Sequence, residues 1–492
     1  MKERMRMLAV CICVILLLSG CSGQTGETAE KDMTHEKDLN INGKIDYHYT
    51  ERDLSGNYET GETISLKDSY TISEEGVYIF NGSLNDGQIV VDTDDKAKVQ
   101  IVLKGVSLSC DDGPAIYVKS ADKVFLTLAE GTENVIEDGF AYKNDEDEPW
   151  GAVFSKDDLT INGSGRLKVE GNYMHGIVSK DSLKVTGGII EVTAEEDGIR
   201  GRDEVCIHDG KISIYAKGDA IKSNNDEEDD RGNVSIDGGE IKIEDTASQG
   251  IDGYNVVQIL GGTVNITSEN EGIQGEKIYM KSGTLTVDAV DDCLNAKDSL
   301  IEDSEAVHED ALLEIAGGEL TLSTSAGDGL DSNGNISVTG GRTVVHGSSG
   351  GIEVAMDYNG SAAITGGTVL ATGANGMAQN FDSSSSQCSL MYDCSGNAGS
   401  TVSMKDGEGN EIISFEALKS FSSIIISTPE MQVGETYTLT VDDSDISVQI
   451  TDTITSYSSN MMGVPGSHGG FGDRGGDSGR GPGRMPEDMG PM

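Results

Sequence analysis

Carboxylates recur in this chain at a spacing that could gather them around a cation. A short phrase, an acidic or amide residue followed by Gly and then Ile or Leu, returns about every 22 residues. It reads Asp197-Gly198-Ile199, Asp219-Ala220-Ile221, Gln249-Gly250-Ile251, Glu271-Gly272-Ile273, Asp292-Cys293-Leu294 and Asp328-Gly329-Leu330. His175-Gly176-Ile177 precedes the series, and Gly350-Gly351-Ile352 and Asn375-Gly376-Met377 continue it. Two residues after the Gly slot stands a second set: Val178, Arg200, Lys222, Asp252, Gln274, Asn295, Asp331, Glu353 and Ala378. If successive repeats lie one above another, each set becomes a column, and the two columns are neighbours.

Stacked carboxylates about 5 Å apart raise one another's pKa unless a cation intervenes. Calcium accepts about six to eight oxygens at roughly 2.3–2.6 Å, from carboxylates, amides and backbone carbonyls. The richest group is Asp291, Asp292 and Asn295 beside Asp328 and Asp331. A second is Gln249, Asp252 and Glu271. A third is Asp197 and Asp219 with the loop Asn224–Asp226. None follows the EF-hand pattern. The plainer reading is that an Asp ahead of a Gly caps its own turn; the two readings are compatible.

Arg200 and Lys222 are stacked cations inside this acidic series. They could grip a uronate carboxylate, or one could act as the base that abstracts a sugar proton in a lyase. The plainer reading is a salt bridge to Asp197 or Asp219. A hydrolase needs a paired acid and base, and the chain has too many carboxylates to single out a pair. Trp150 is the only tryptophan, and aromatics are 5% of the residues.

The elements that must position these columns are short strands. After Asp197-Gly198-Ile199 come Val205-Cys206-Ile207, a turn at His208-Asp209-Gly210, and Ile212-Ser213-Ile214, before Asp219 opens the next repeat. A second phrase, Gly-Gly followed by alternating β-branched residues, recurs at Gly187-Gly188, Gly238-Gly239, Gly261-Gly262, Gly317-Gly318, Gly340-Gly341 and Gly366-Gly367. Three strands per repeat with Gly at the turns, at a fixed period, predict an all-β fold: a right-handed parallel β-helix, a solenoid of about 22 residues per coil. We place it at residues 63–380. Acidic inserts interrupt it at 144–148, 224–230 and within 302–310. Residues 381–456 lose the period but keep strand alternation, which predicts a small C-terminal β cap over the open end.

The first 20 residues read as a signal peptide, with Lys2, Arg4 and Arg6 ahead of an apolar run. Leu18-Ser19-Gly20-Cys21 resembles a bacterial lipobox, which implies lipid on Cys21 and a cell-surface lipoprotein whose only membrane contact is that lipid. Residues 21–62 are polar and read as a flexible spacer. Residues 457–492, rich in Gly, Pro and Met, read as a disordered tail. The formal net charge is −50, which argues against a nucleic-acid partner. No Cys-x-x-Cys pair exists for zinc, and Cys388 and Cys394 are close enough in sequence for a local disulfide.

Residues Gln88 to Asp181 carry a linked set of phrases: Leu103-Lys104-Gly105-Val106, Pro114-Ala115-Ile116-Tyr117-Val118, Ala129-Glu130-Gly131-Thr132, Ser155-Lys156-Asp157-Asp158-Leu159-Thr160-Ile161-Asn162-Gly163 and Gly176-Ile177-Val178-Ser179-Lys180-Asp181. Together they resemble the bacterial cell-surface carbohydrate-binding domain family. The resemblance implies a right-handed parallel β-helix, calcium at the coil turns, and a plant-wall polysaccharide partner such as polygalacturonate, with cellulose as a further candidate. That family is in turn similar in fold to family 9 pectate lyases, which use calcium and a lysine base. Three functions are therefore expected: a non-catalytic polysaccharide-binding lipoprotein, a calcium-dependent lyase with Lys222 or Arg200 as base, or a surface adhesin with a protein partner.

Overall fold

The computed structural model describes residues 49–457, apart from 59, 144–147, 302, 304 and 305. The signal peptide, Cys21 and nearly all of the expected tail lie outside the described residues. Strands dominate; among the described residues the one α-helix is Glu51–Leu54.

The Gly-Ile phrase opens a short strand in each repeat, and each pairs in parallel with the next. Ile177 is opposite Ile199, Ile199 opposite Ile221, Ile221 opposite Ile251, Ile251 opposite Ile273, Ile273 opposite Leu294, and Leu294 opposite Leu330. This sheet has twelve strands. The second and third strands of each repeat pair in the same fashion. Glu204–Ile207 stacks on Asn233–Ile236, and Lys211–Ala216 on Glu240–Thr246. They belong to one 24-stranded sheet, joined where long strands such as Asn335–His346 pass through both positions. Period-2 alternation sends one face of each strand inward, so each sheet contributes a ladder of buried aliphatics. Ile177, Ile199, Ile221, Ile251 and Ile273 share one core with Leu183, Val205, Val234 and Val257. At the second phrase the chain reverses in a left-handed conformation; Gly262 has φ +83, which a residue with a Cβ adopts only under strain.

Three expectations change. Leu330 pairs with Met356 and Asp331 with Asp357, so the repeat following Asp328-Gly329-Leu330 is Val354-Ala355-Met356. Gly350-Gly351-Ile352 is an intervening turn. The inward slot demands a side chain the core can bury: Met356 is 1% exposed, Ile352 67%. Glu353 thereby leaves the second column and Asp357 takes its place. Asn375-Gly376-Met377 likewise forms no strand.

The spacer is also shorter than expected. Thr50 and Asp53 form a reciprocal capping box around the helix Glu51–Leu54. Asp53 is fully buried, ion-paired to Lys123 at 2.7 Å and hydrogen-bonded by Thr160 at 2.7 Å. Those contacts fasten the segment to the sheet.

Beyond the repeats, Ser423–Ser427 runs antiparallel to Ala362–Gly373 and covers the edge of the last long strand. A four-stranded antiparallel sheet, with two strands before that segment and two after it, packs Val402, Met404 and Leu439 into an apolar core shared with Leu370 and Ile426. All five described cysteines are free thiols, Cys388 and Cys394 among them.

Candidate functional site

The residues ahead of the Gly slot form a hydrogen-bonded ladder. His175 Nδ1 accepts the N–H of Asp197 at 3.0 Å, Asp197 Oδ1 that of Asp219 at 3.1 Å, and Asp219 Oδ1 that of Gln249 at 3.0 Å. Asp292 Oδ1 accepts Asp328 N–H at 2.7 Å, and Asp328 Oδ1 accepts Val354 N–H. Each side chain therefore caps the following repeat, not its own turn. The backbone at these positions is otherwise spoken for, since each Gly-slot N–H donates to the next repeat.

The second oxygen of each Asp faces the neighbouring column, and there the ladder divides. In its first half the partners are cations. Arg200 donates to Asp197 Oδ2 at 3.0 Å. Lys222 bridges Asp219 and Asp252, the latter at 3.0 Å. Burial works against the ammonium, but Asp252 and Asp219 outweigh it and push Lys222 well above the usual lysine range.

In the second half the column runs Gln274, Asn295, Asp331, Asp357, in parallel register. One ligand oxygen from each of Asp328, Asp331 and Asp357 lies within 4.8 Å of the others. Burial first, then Asp292, Asp328 and Asp357, drives the Asp331 carboxyl up to about 9. Burial raises Asp328 to about 8, with Asp292, Asp357 and Glu353 adding to it. Asp292 rises to about 7, mainly by burial, with Asp291, Glu271 and Glu353 contributing. Lys297 is the cation that opposes this at Asp331. Asn295 is 6% exposed, donates Nδ2 to Asp292 at 2.8 Å, and leaves its buried Oδ1 without a hydrogen-bond partner.

This donor set fits calcium. Two oxygens bound to one calcium stand no more than about 5 Å apart, twice the metal–oxygen distance, and the three carboxylates meet that limit. An amide oxygen without a donor is the further ligand type calcium accepts. Positive charge would also return the raised carboxylates to their ionised form.

A family model described as carbohydrate-binding domain-containing protein matches residues 67–304. A carbohydrate-binding domain-containing protein of Acetivibrio thermocellus is 34% identical over 281 residues, spanning 56% of this chain and 96% of that protein. The chain belongs to the carbohydrate-binding domain-containing protein family. A solved structure, the polysaccharide lyase-like protein from C. thermocellum as its gadolinium derivative, is 26% identical over 65% of this chain and 93% of that one, with a TM-score of 0.35.

In this carbohydrate-binding domain protein the sequence-derived groups fare differently. Asp292, Asn295, Asp328 and Asp331 come together, with Asp291 adjoining through its field on Asp292. Asp357 joins them; the sequence conceals it because Gly350-Gly351 imitates the repeat. Glu271 accepts from Gln249 at 3.1 Å and faces Lys297 at 3.5 Å, while Asp252 is engaged by Lys222. Asp197 and Asp219 are likewise engaged by Arg200 and Lys222. Asn225 of the acidic loop lies elsewhere, donating to Asp203 at 2.7 Å.

Proposed function

We propose that this protein is a non-catalytic cell-surface lipoprotein that binds acidic, pectin-like polysaccharide through calcium. Its repeats form a right-handed parallel β-helix, and Asp328, Asp331 and Asp357 with the Asn295 carbonyl hold the ion. The observation that carries the reading is the division of one column into a salt-bridged half and a carboxylate half that keeps an unpartnered buried amide oxygen. Family membership supports a polysaccharide partner. The net charge of −50 supplies the reason for a metal: a polyanionic chain repels polyuronate unless divalent charge stands between them. When bound, calcium would supply charge shared by protein and sugar carboxylates. Asp292 and Asp328 position the site by tying its carboxylates to the backbone of the next repeat.

A lyase is less well supported. Its base must lose a proton near neutral pH, and Asp219 and Asp252 hold Lys222 as an ammonium.

The test is retention on immobilised polygalacturonate. Binding is expected in millimolar calcium and lost in chelator and in Asp331→Asn, with no ultraviolet-absorbing unsaturated uronate released. Retention undiminished by chelator would overturn the calcium reading.

A further inference from the structure

The cationic end of the column opens on a groove of about 390 Å³ lined by Trp150, Met174, His175, Glu196, Arg200 and Lys222, with Asp197 at its base. Trp150 is half-buried; its carbonyl accepts His175 N–H at 3.0 Å, and the Lys180 ammonium lies 5.6 Å from its ring centroid.

His175 starts the capping ladder, so its Nδ1 is occupied as an acceptor by Asp197 N–H. Burial and the Arg200 charge lower its pKa to about 3, which keeps the imidazole neutral and puts its one proton on Nε2. That N–H stands 3.3 Å from Arg200 NH1. Two donors thus face each other with no acceptor between them. A guanidinium carries five N–H donors and an ammonium three; the ion pairs with Asp197, Asp219 and Asp252 leave further donors at both side chains. Glu196, exposed at the rim, offers acceptor oxygens.

The groove therefore combines clustered donors, a rim carboxylate and an aromatic face. An inorganic anion would satisfy the donors but ignore the indole and be repelled by Glu196. A neutral sugar would use the indole and Glu196 but leave the donors unmatched. A sugar acid matches all three.

We propose that this groove is a second glycan contact, independent of calcium, that takes one uronic-acid residue. Its carboxylate lies between Arg200 and His175 Nε2–H, its ring against Trp150, and its hydroxyls toward Glu196. The inference rests on the polysaccharide-binding reading but not on the metal site. The nearby Asp197, Asp219 and Asp252 share the same cations, so affinity is modest, with half-saturation on the order of 1 mM.

Trp150 is the sole tryptophan, so its emission reports on this groove alone. Trigalacturonate titrated into the protein in chelator is expected to give a saturable emission change, absent with cellotriose and at least tenfold weaker in Arg200→Gln. No change with the wild-type chain, an equal response to cellotriose, or an undiminished response in a folded Arg200→Gln protein would overturn the proposal. If Arg200→Gln does not fold, the comparison of acidic and neutral trisaccharides on the wild-type protein decides alone. A persistent emission response beside calcium-independent retention would remove the metal reading and keep this one. Calcium-dependent retention with a silent Trp150 would do the reverse.

Discussion

Asp292 Oδ1 accepts the backbone N–H of Asp328 at 2.7 Å, one repeat further along the chain. The same contact recurs between Asp197 and Asp219 and between Asp328 and Val354. One oxygen of each aspartate belongs to the scaffold and the other faces the second column, so architecture and chemistry share a side chain. A second-column residue such as Asp331 lies outside this ladder and is free of the scaffold role.

That division separates two substitutions. Asp328→Ala strands the buried Val354 N–H, at a cost of about 1–3 kcal/mol. Asp331→Asn removes a buried carboxylate that burial and like charge already disfavour, and is expected to leave stability in chelator unchanged or higher. Both should abolish the calcium-induced rise in melting temperature. Urea midpoints in chelator and melting scans with added calcium check this; a strongly destabilised Asp331→Asn would mean that Asp331 has a scaffold role after all.

The metal-free protein should also weaken as pH rises. In the unfolded chain these carboxyls ionise near their ordinary 3.8, whereas folded Asp292, Asp328 and Asp331 titrate at about 7, 8 and 9. Between those limits the native state holds more protons than the unfolded state, so each unit of pH costs stability. Below pH 6.5 the lowered His175 opposes the trend, and near 9 the raised Cys293 thiol begins to add to it. The window from pH 7 to 8.5 is therefore the informative one. Melting temperature in chelator should fall across it, less steeply in Asp331→Asn, and calcium should flatten the slope. A flat profile in chelator would mean that these carboxylates are compensated by something other than a metal.

Much of this is legible in the sequence. Arg200, Lys222, Asp252, Gln274, Asn295 and Asp331 fall into one column because 22-residue spacing translates directly into parallel register, even across the inserts at 224–230 and 302–310. Asp357 was not legible. The spacing from Gly329 to Gly351 is a perfect 22, and only burial tells Met356 from Ile352. The groove at Trp150 was hidden for a different reason. Its residues come from four successive repeats, and the unusual Nε2 proton of His175 follows from a backbone contact that no residue pattern encodes. The salt bridge from Lys222 to Asp219 is legible as the plainer reading of the spacing, but stacking alone does not say that Asp252, in the next repeat, joins it and helps hold the proton on a residue that could otherwise serve as a base.

The recurring Gly of the first phrase is a packing requirement in most repeats; Ala220, Cys293 and Ala355 also fill the slot, and the repeat with Cys293 supplies a test. A Cβ on Gly272 would stand 2.3 Å from Val287 Cγ1 and 2.6 Å from the Cys293 carbonyl oxygen. Yet Cys293 itself occupies the slot one repeat later. There the residue in register with Val287 is Leu322, which branches at Cγ and carries no methyl on Cβ. Gly272→Ala is therefore expected to destabilise by about 1–3 kcal/mol through overpacking, and Val287→Leu in the same chain should recover at least half of it. A double-mutant cycle on urea midpoints measures the coupling. Additive effects would mean that the carbonyl of the next repeat, not the facing side chain, sets the limit, and the Cys293–Leu322 pairing would then be incidental.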